Sequence, residues 1–111
     1  GVTLLHQYAG KGDVKGVKRC LKYGAEVDFA DNAGWTPLHE ACCKGFHDVV
    51  EELCRYGADV NVKSLEAANG VGGVTPLMDA ASVGSLDSVR VLLEYGADTS
   101  LIDSTGKRAT D

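Results

Sequence analysis

The sequence predicts an all-α solenoid of stacked helix-turn-helix units. Three observations carry that prediction: a self-repeat of about 33 residues, a helix start at a fixed threonine in the first three copies, and glycines at fixed offsets behind the apolar runs. Gly1-Val2-Thr3-Leu4-Leu5-His6 returns as Gly34-Trp35-Thr36-Pro37-Leu38-His39 and as Gly73-Val74-Thr75-Pro76-Leu77-Met78, and Gly106-Lys107-Arg108-Ala109 opens a further copy. Gly12, Gly45 and Gly84 recur at one offset, and Tyr23-Gly24-Ala25, Tyr56-Gly57-Ala58 and Tyr95-Gly96-Ala97 at another. The period is 33 from the first copy to the second and from the third to the fourth, but 39 from the second to the third. Six residues are therefore inserted between Val60 and Gly73. The copies are 1–33, 34–72 with the insertion, 73–105, and the start of another at 106–111.

Each element has a local cause. Thr36 caps a helix that starts at Pro37, where a missing N–H costs nothing, and Leu38, Ala41 and Cys42 fall on one face. Gly45 ends it. A second helix over His47–Arg55 buries Val49, Val50, Leu53 and Cys54, and Gly57 follows as the residue able to take positive φ. The third copy repeats the pattern with Leu77, Ala80, Ala81, Val89, Leu92 and Leu93, and the first with Leu5, Tyr8, Ala9, Val17, Cys20 and Leu21. One such unit cannot bury its apolar face alone, so the copies must stack, with Ala41, Ala80 and Ala81 letting the first helices approach. The insertion, around Leu65 to Gly72, reads as a longer finger or as slack. Ala67, Ala68, Asn69 and Gly70 point to mobility.

A 33-residue period with the phrase G-x-T-P-L-H-x-A resembles the ankyrin repeat over the whole chain. The resemblance implies a β-turn finger and two antiparallel helices per unit, with a concave face made of first helices and finger loops. It also implies that His6 and His39 bond the backbone of the neighbouring turn. Because the chain opens and stops inside repeats, it is expected to be a piece of a longer protein with other domains.

Composition narrows the function. A formal net charge of −5 over 111 residues argues against direct binding of nucleic acid, which needs clustered Lys and Arg. No run approaches the roughly 18–20 apolar residues of a membrane span. Cys20, Cys42, Cys43 and Cys54 stand in helical apolar contexts and read as free thiols in a reducing compartment. They lack paired metal-ligand spacing, and no cofactor motif appears: Gly70, Gly72 and Gly73 lack the Lys-Ser/Thr of a phosphate loop. Cys43 and His39, four apart on one helix, have no evident orienting third group or oxyanion hole, so no enzyme is expected.

The charge is uneven: +1 over 1–33, −3 over 34–72, −4 over 73–105 and +1 over 106–111. The residue after the histidine position is Gln7, then Glu40, then Asp79, and Asp31 stands four before Trp35 at a fingertip position. An exposed indole flanked by carboxylates suits a cation on an aliphatic stem. The run Asp31-Asn32-Ala33-Gly34-Trp35-Thr36-Pro37-Leu38-His39-Glu40-Ala41-Cys42 is similar to the segment in the histone H4-tail-reading ankyrin domains of the BRCA-associated RING-domain protein and Tonsoku-like protein. The BCOR corepressor and ankyrin-repeat cofactors of nuclear receptors carry similar runs.

This resemblance implies a peptide-binding set of Asp31, Trp35, Glu40, Cys43 and Asp79 that takes the unmethylated H4 tail. It also implies a nuclear setting in chromatin and DNA repair. Two positions depart from it: Val2 stands for an acidic fingertip residue and Cys43 for an asparagine, each loss worth on the order of 1–3 kcal/mol. An ammonium held by carboxylates loses donors on methylation, so an unmethylated lysine is expected. The alternative reading is a scaffold docking a folded partner such as a transcription regulator.

Overall fold

The structure, a computed structural model, describes residues 2–67 and 69–111. Gly1, which opens the first copy, and Ala68, one of the insertion residues read as mobile, lie outside the described residues. Among the described residues six helices follow in chain order: α1 (Leu4–Lys11), α2 (Val14–Lys22), α3 (Pro37–Lys44), α4 (His47–Arg55), α5 (Pro76–Ser82) and α6 (Leu86–Glu94). Successive helices pack in pairs, and the pairs stack so that α1, α3 and α5 form one row and α2, α4 and α6 the other. The result measures 38 × 28 × 20 Å.

Helices of seven to nine residues have little stability alone, so local chemistry and stacking must hold them. Thr3, Thr36 and Thr75 each accept the N–H of the residue three places on, a cap worth about 1 kcal/mol. Gly12 and Gly45 close α1 and α3 in the left-handed region, at φ 71° and 73°. Leu5, Val17, Leu38, Val49, Val50, Leu53, Leu77 and Leu92 are buried between the rows, each contributing about 1.5–3 kcal/mol. Ala9, Ala41 and Ala80 are fully buried where the first helices meet.

Ala81 and Leu93 do not join this core. Both are exposed, Leu93 at 46%, because they face the end of the stack, where no further helix pair covers them. With Val89, Thr99, Ala109 and Thr110 they line a shallow depression of about 90 Å³. Tyr8, Cys20 and Val89 are only half-buried.

The fingers position everything that follows. In the first, Asp31 N–H donates to the Trp35 carbonyl (2.9 Å) and Gly34 N–H to the Asp31 carbonyl (2.9 Å), while Asp31 Oδ1 accepts from the N–H groups of Ala33 and Trp35. The last finger repeats this from Asp103 to Lys107. The middle finger keeps the same base with a larger tip. Ser64 N–H donates to the Val74 carbonyl (2.9 Å), Gly73 N–H to the Ser64 carbonyl (2.9 Å), and Ser64 Oγ accepts from Val74 N–H. The insertion thus lies inside the turn, where eight residues replace two. It is held by hydrogen bonds of its own: Ala67 N–H donates to the Val71 carbonyl, Gly70 N–H to the Ala67 carbonyl, and Val71 N–H to Asn69 Oδ1, each at 2.9 Å.

Neighbouring fingers are stitched by Leu65 N–H to the Ala33 carbonyl (2.8 Å) and Ser104 N–H to the Gly72 carbonyl (2.9 Å). Gly34 permits the first of these approaches: a Cβ on it, already at positive φ, would meet Leu65 N at 2.8 Å; within the middle finger, one on Gly72 would meet the Glu66 backbone at 2.9 Å.

Candidate functional site

The site begins with two histidines. His39 is fully buried; its Nδ1 accepts the Thr36 N–H (3.1 Å), so the proton sits on Nε2, which donates to the Val74 carbonyl (2.7 Å). His6 makes the same link from Thr3 to the Trp35 carbonyl (2.7 Å). Each imidazole therefore ties a first helix to the next finger, as the repeat resemblance implies. Desolvation by burial holds the His39 pKa below its ordinary value, which keeps the ring neutral. The third copy has Met78 instead. Its sulfur accepts the Thr75 N–H at 3.4 Å but supplies no ring N–H to reach the last finger.

Trp35 is not an exposed fingertip. It is half-buried, stacked on His39 with ring centroids 4.5 Å apart and planes 19° from parallel, and its Nε1–H donates to Glu40 Oε2 (2.8 Å). The sequence places a histidine in the structural core and a tryptophan on a loop. Folding stacks the one on the other, because the finger folds back over the start of α3.

From this seat the indole divides the groove in two. On the α1 side, Val2, His6, Gln7, Gly10, Lys11, Asp31, Trp35 and Glu40 line a cleft of about 420 Å³. On the α5 side, Trp35 faces the middle finger across a cleft of about 290 Å³ whose walls include Ala33, Ser64, Leu65, Val71 and Val74, with Asp79 from α5 among them. The structure therefore gathers Asp31, Trp35, Glu40 and Asp79 along one face, between the fingers and the first helices. Cys43 lines neither cleft. Its thiol donates to the Glu40 carbonyl (3.2 Å) one turn back, and burial, with Glu40 nearby, pushes its pKa up to about 11. Burial likewise raises Cys42, and Cys54 to about 12, so these are unreactive thiols.

Asp79 is the most perturbed acid. Its Oδ2 is shielded from solvent and has no hydrogen-bond partner among the described residues. Burial first, and Glu40 second, push its pKa up to about 8. Among the described residues neither Asp31, Glu40 nor Asp79 has an ion-pair partner, whereas Arg55, Arg90 and Arg108 all pair with carboxylates on their own segments. His47, exposed, sits by Asp48 (3.2 Å) and Asp87 (3.9 Å), away from this groove. No group of three potential metal ligands occurs among the described residues, and no helix is long and apolar enough to cross a membrane.

Sequence reasoning missed the middle-finger walls, Leu65 and Val71, and the His39 platform. The signal for the first was the unequal repeat length; for the second, none is visible before the finger folds.

A stack with an open groove, in which His6 and His39 tie first helices to fingers, has the form of a recognition module for another polypeptide. The chain belongs to the ankyrin-repeat family: the pattern of ankyrin repeats in three copies matches residues 5–103. Ankyrin repeats are non-catalytic interaction modules. The human protein phosphatase 1 regulatory subunit 27 is 44% identical over 59 residues, which is 53% of this chain and 38% of that protein. Mouse BCL-6 corepressor-like protein 1 is 42% identical over 72 residues (64% of this chain, 4% of that protein), and human BCL-6 corepressor 45% over 62 (55% and 4%). The chain thus spans well under half of each relative. These relatives are regulatory and corepressor proteins, and their names say nothing of histone tails.

Proposed function

We propose that the groove binds a short, extended, basic peptide, with the unmethylated histone H4 tail as the leading ligand and a nuclear, chromatin-associated setting. One observation carries this reading: two carboxyl groups, Glu40 and Asp79, flank a half-buried indole and have no cationic partner of their own among the described residues. Two acids in a partly desolvated groove repel each other, and a bound cation relieves that cost. An aliphatic stem laid on Trp35 adds apolar contact, and an ammonium beside the acids supplies the missing charge. Asp31 belongs to the same surface, although its Oδ1 is already engaged by the finger backbone. Cys43 takes no direct part in either cleft and supports Glu40 from behind.

The corepressor and phosphatase-subunit relatives support a second reading, in which the fingers dock a folded regulator. Calorimetric titration separates the two. With the H4-tail peptide, the groove reading expects saturable binding that weakens at least about tenfold on lysine dimethylation, a loss of about 1.4 kcal/mol. Equal affinity for both peptides contradicts a carboxylate-held ammonium. No binding of either peptide favours the folded partner.

A further inference from the structure

The two clefts beside Trp35 are not equivalent. The α1-side cleft has a basic residue, Lys11, in its lining beside Asp31 and Glu40. Among the described residues the α5-side cleft has no basic lining residue: Trp35, Leu65, Val71 and Val74 give it apolar wall, Ser64 and Asn69 add polar groups, and its acid is Asp79. The far wall exists because the middle finger carries extra residues. A finger as short as Asp31–Trp35 joins its two ends through three residues and ends near its base; this one runs out from Ser64 and returns to Val74 through nine.

We propose that the six-residue enlargement of the middle finger is a specificity wall, closing the groove beside Trp35 into a slot for an unbranched cationic side chain with an unsubstituted nitrogen. This rests on the peptide reading above and assigns the slot's selectivity to this chain's own insertion. The chemistry follows from the lining. Apolar residues on both sides match a methylene stem, and the lone acid, which holds its proton near neutral pH while the slot is empty, releases it to pair with the one charge at the stem's end. The ladder bond from Ala67 to Val71 and the stitch from Leu65 to Ala33 hold the wall at a fixed distance from the indole, so added methyl groups meet a boundary instead of open solvent. Glu40 of α3 is the titratable group whose charge bears on Asp79, and it is not a cation.

The test uses the 111-residue chain and H4-tail peptides in which the lysine is unmodified, dimethylated, or replaced by norleucine. The first variant is Leu65→Ala with Val71→Ala, which trims the wall and leaves its backbone bonds; the second removes residues 66–71, restoring the short-finger length. Thermal melts of both report whether the stack stays folded.

The expected result is that the double variant binds the unmodified peptide about five- to tenfold more weakly, that either change lowers the preference over dimethyl-lysine toward unity, and that norleucine binds at least about tenfold more weakly than lysine to the parent chain. If the parent chain binds the peptide and both variants match it in affinity and methyl discrimination, the wall proposal falls while the peptide reading stands. Norleucine binding as well as lysine makes the slot apolar and overturns the cation assignment. If the parent chain binds none of the peptides, both readings fall together.

Discussion

The first and middle fingers share a base and differ at the tip. Both close with a backbone bond across the turn, both are capped by a side-chain oxygen of their opening residue, Asp31 in one and Ser64 in the other, and both are tied to the preceding first helix by a histidine. The first spends two residues between cap and glycine; the middle spends eight. The difference teaches where such a stack can vary. A change at the base would unseat a histidine bond and a helix cap together, but residues added at the tip leave both untouched and alter only the wall of the groove.

Breaking the bases gives the largest expected effect. His39→Ala removes a fully buried ring, the bond to Val74 and the platform under Trp35, and is expected to cost about 2–4 kcal/mol in urea unfolding. His6→Ala frees the short finger, but no indole rests on that ring, so about half that cost is expected. Equal costs would mean that the indole stack adds nothing to the middle repeat.

Asp79, on the long-finger side, comes next. Its folded-state pKa of about 8 lies above the unfolded value near 3.8, so the native protein holds a proton that the unfolded chain releases between those limits. Stability from this group therefore falls as pH rises from about 4 to about 8, then levels off. Asp79→Asn keeps the neutral shape and is expected to gain about 1–3 kcal/mol at pH 8, with little change near pH 4, while weakening the lysine peptide. A pH-independent effect on unfolding would show that Asp79 is an ordinary surface acid. The smallest effect compares the caps. Asp31→Ala loses two charge-assisted bonds and Ser64→Ala one neutral one, so losses of about 1–2 and about 0.5–1 kcal/mol are expected from thermal melts.

Much of the stack was legible because its signals are local. Thr36, Pro37, Gly45 and the apolar spacing of Val49, Val50 and Leu53 act within a few residues of themselves, and the helices over Pro37–Lys44 and His47–Arg55 follow from them. Ala81 and Leu93 are exposed in this chain, and their burial depends on what packs against α5 and α6, which no residue in their own copy encodes. In the groove, the shared face of Glu40 and Asp79 follows from helical register. The seat of Trp35 does not: it depends on a finger folding back onto a histidine four residues on. Nor does the role of Ser64, whose partner Val74 lies ten residues away across the insertion.

The chain has a single tryptophan, so its fluorescence and its indole N–H resonance report on the groove without interference. Titrating the unmodified H4-tail peptide while following that resonance tests the central claim most directly. A saturable shift of the Trp35 Nε1–H signal is expected, with the same dissociation constant as calorimetry and lost in Glu40→Gln. Calorimetric binding with the Trp35 signal unmoved would place the ligand on another face and contradict the account.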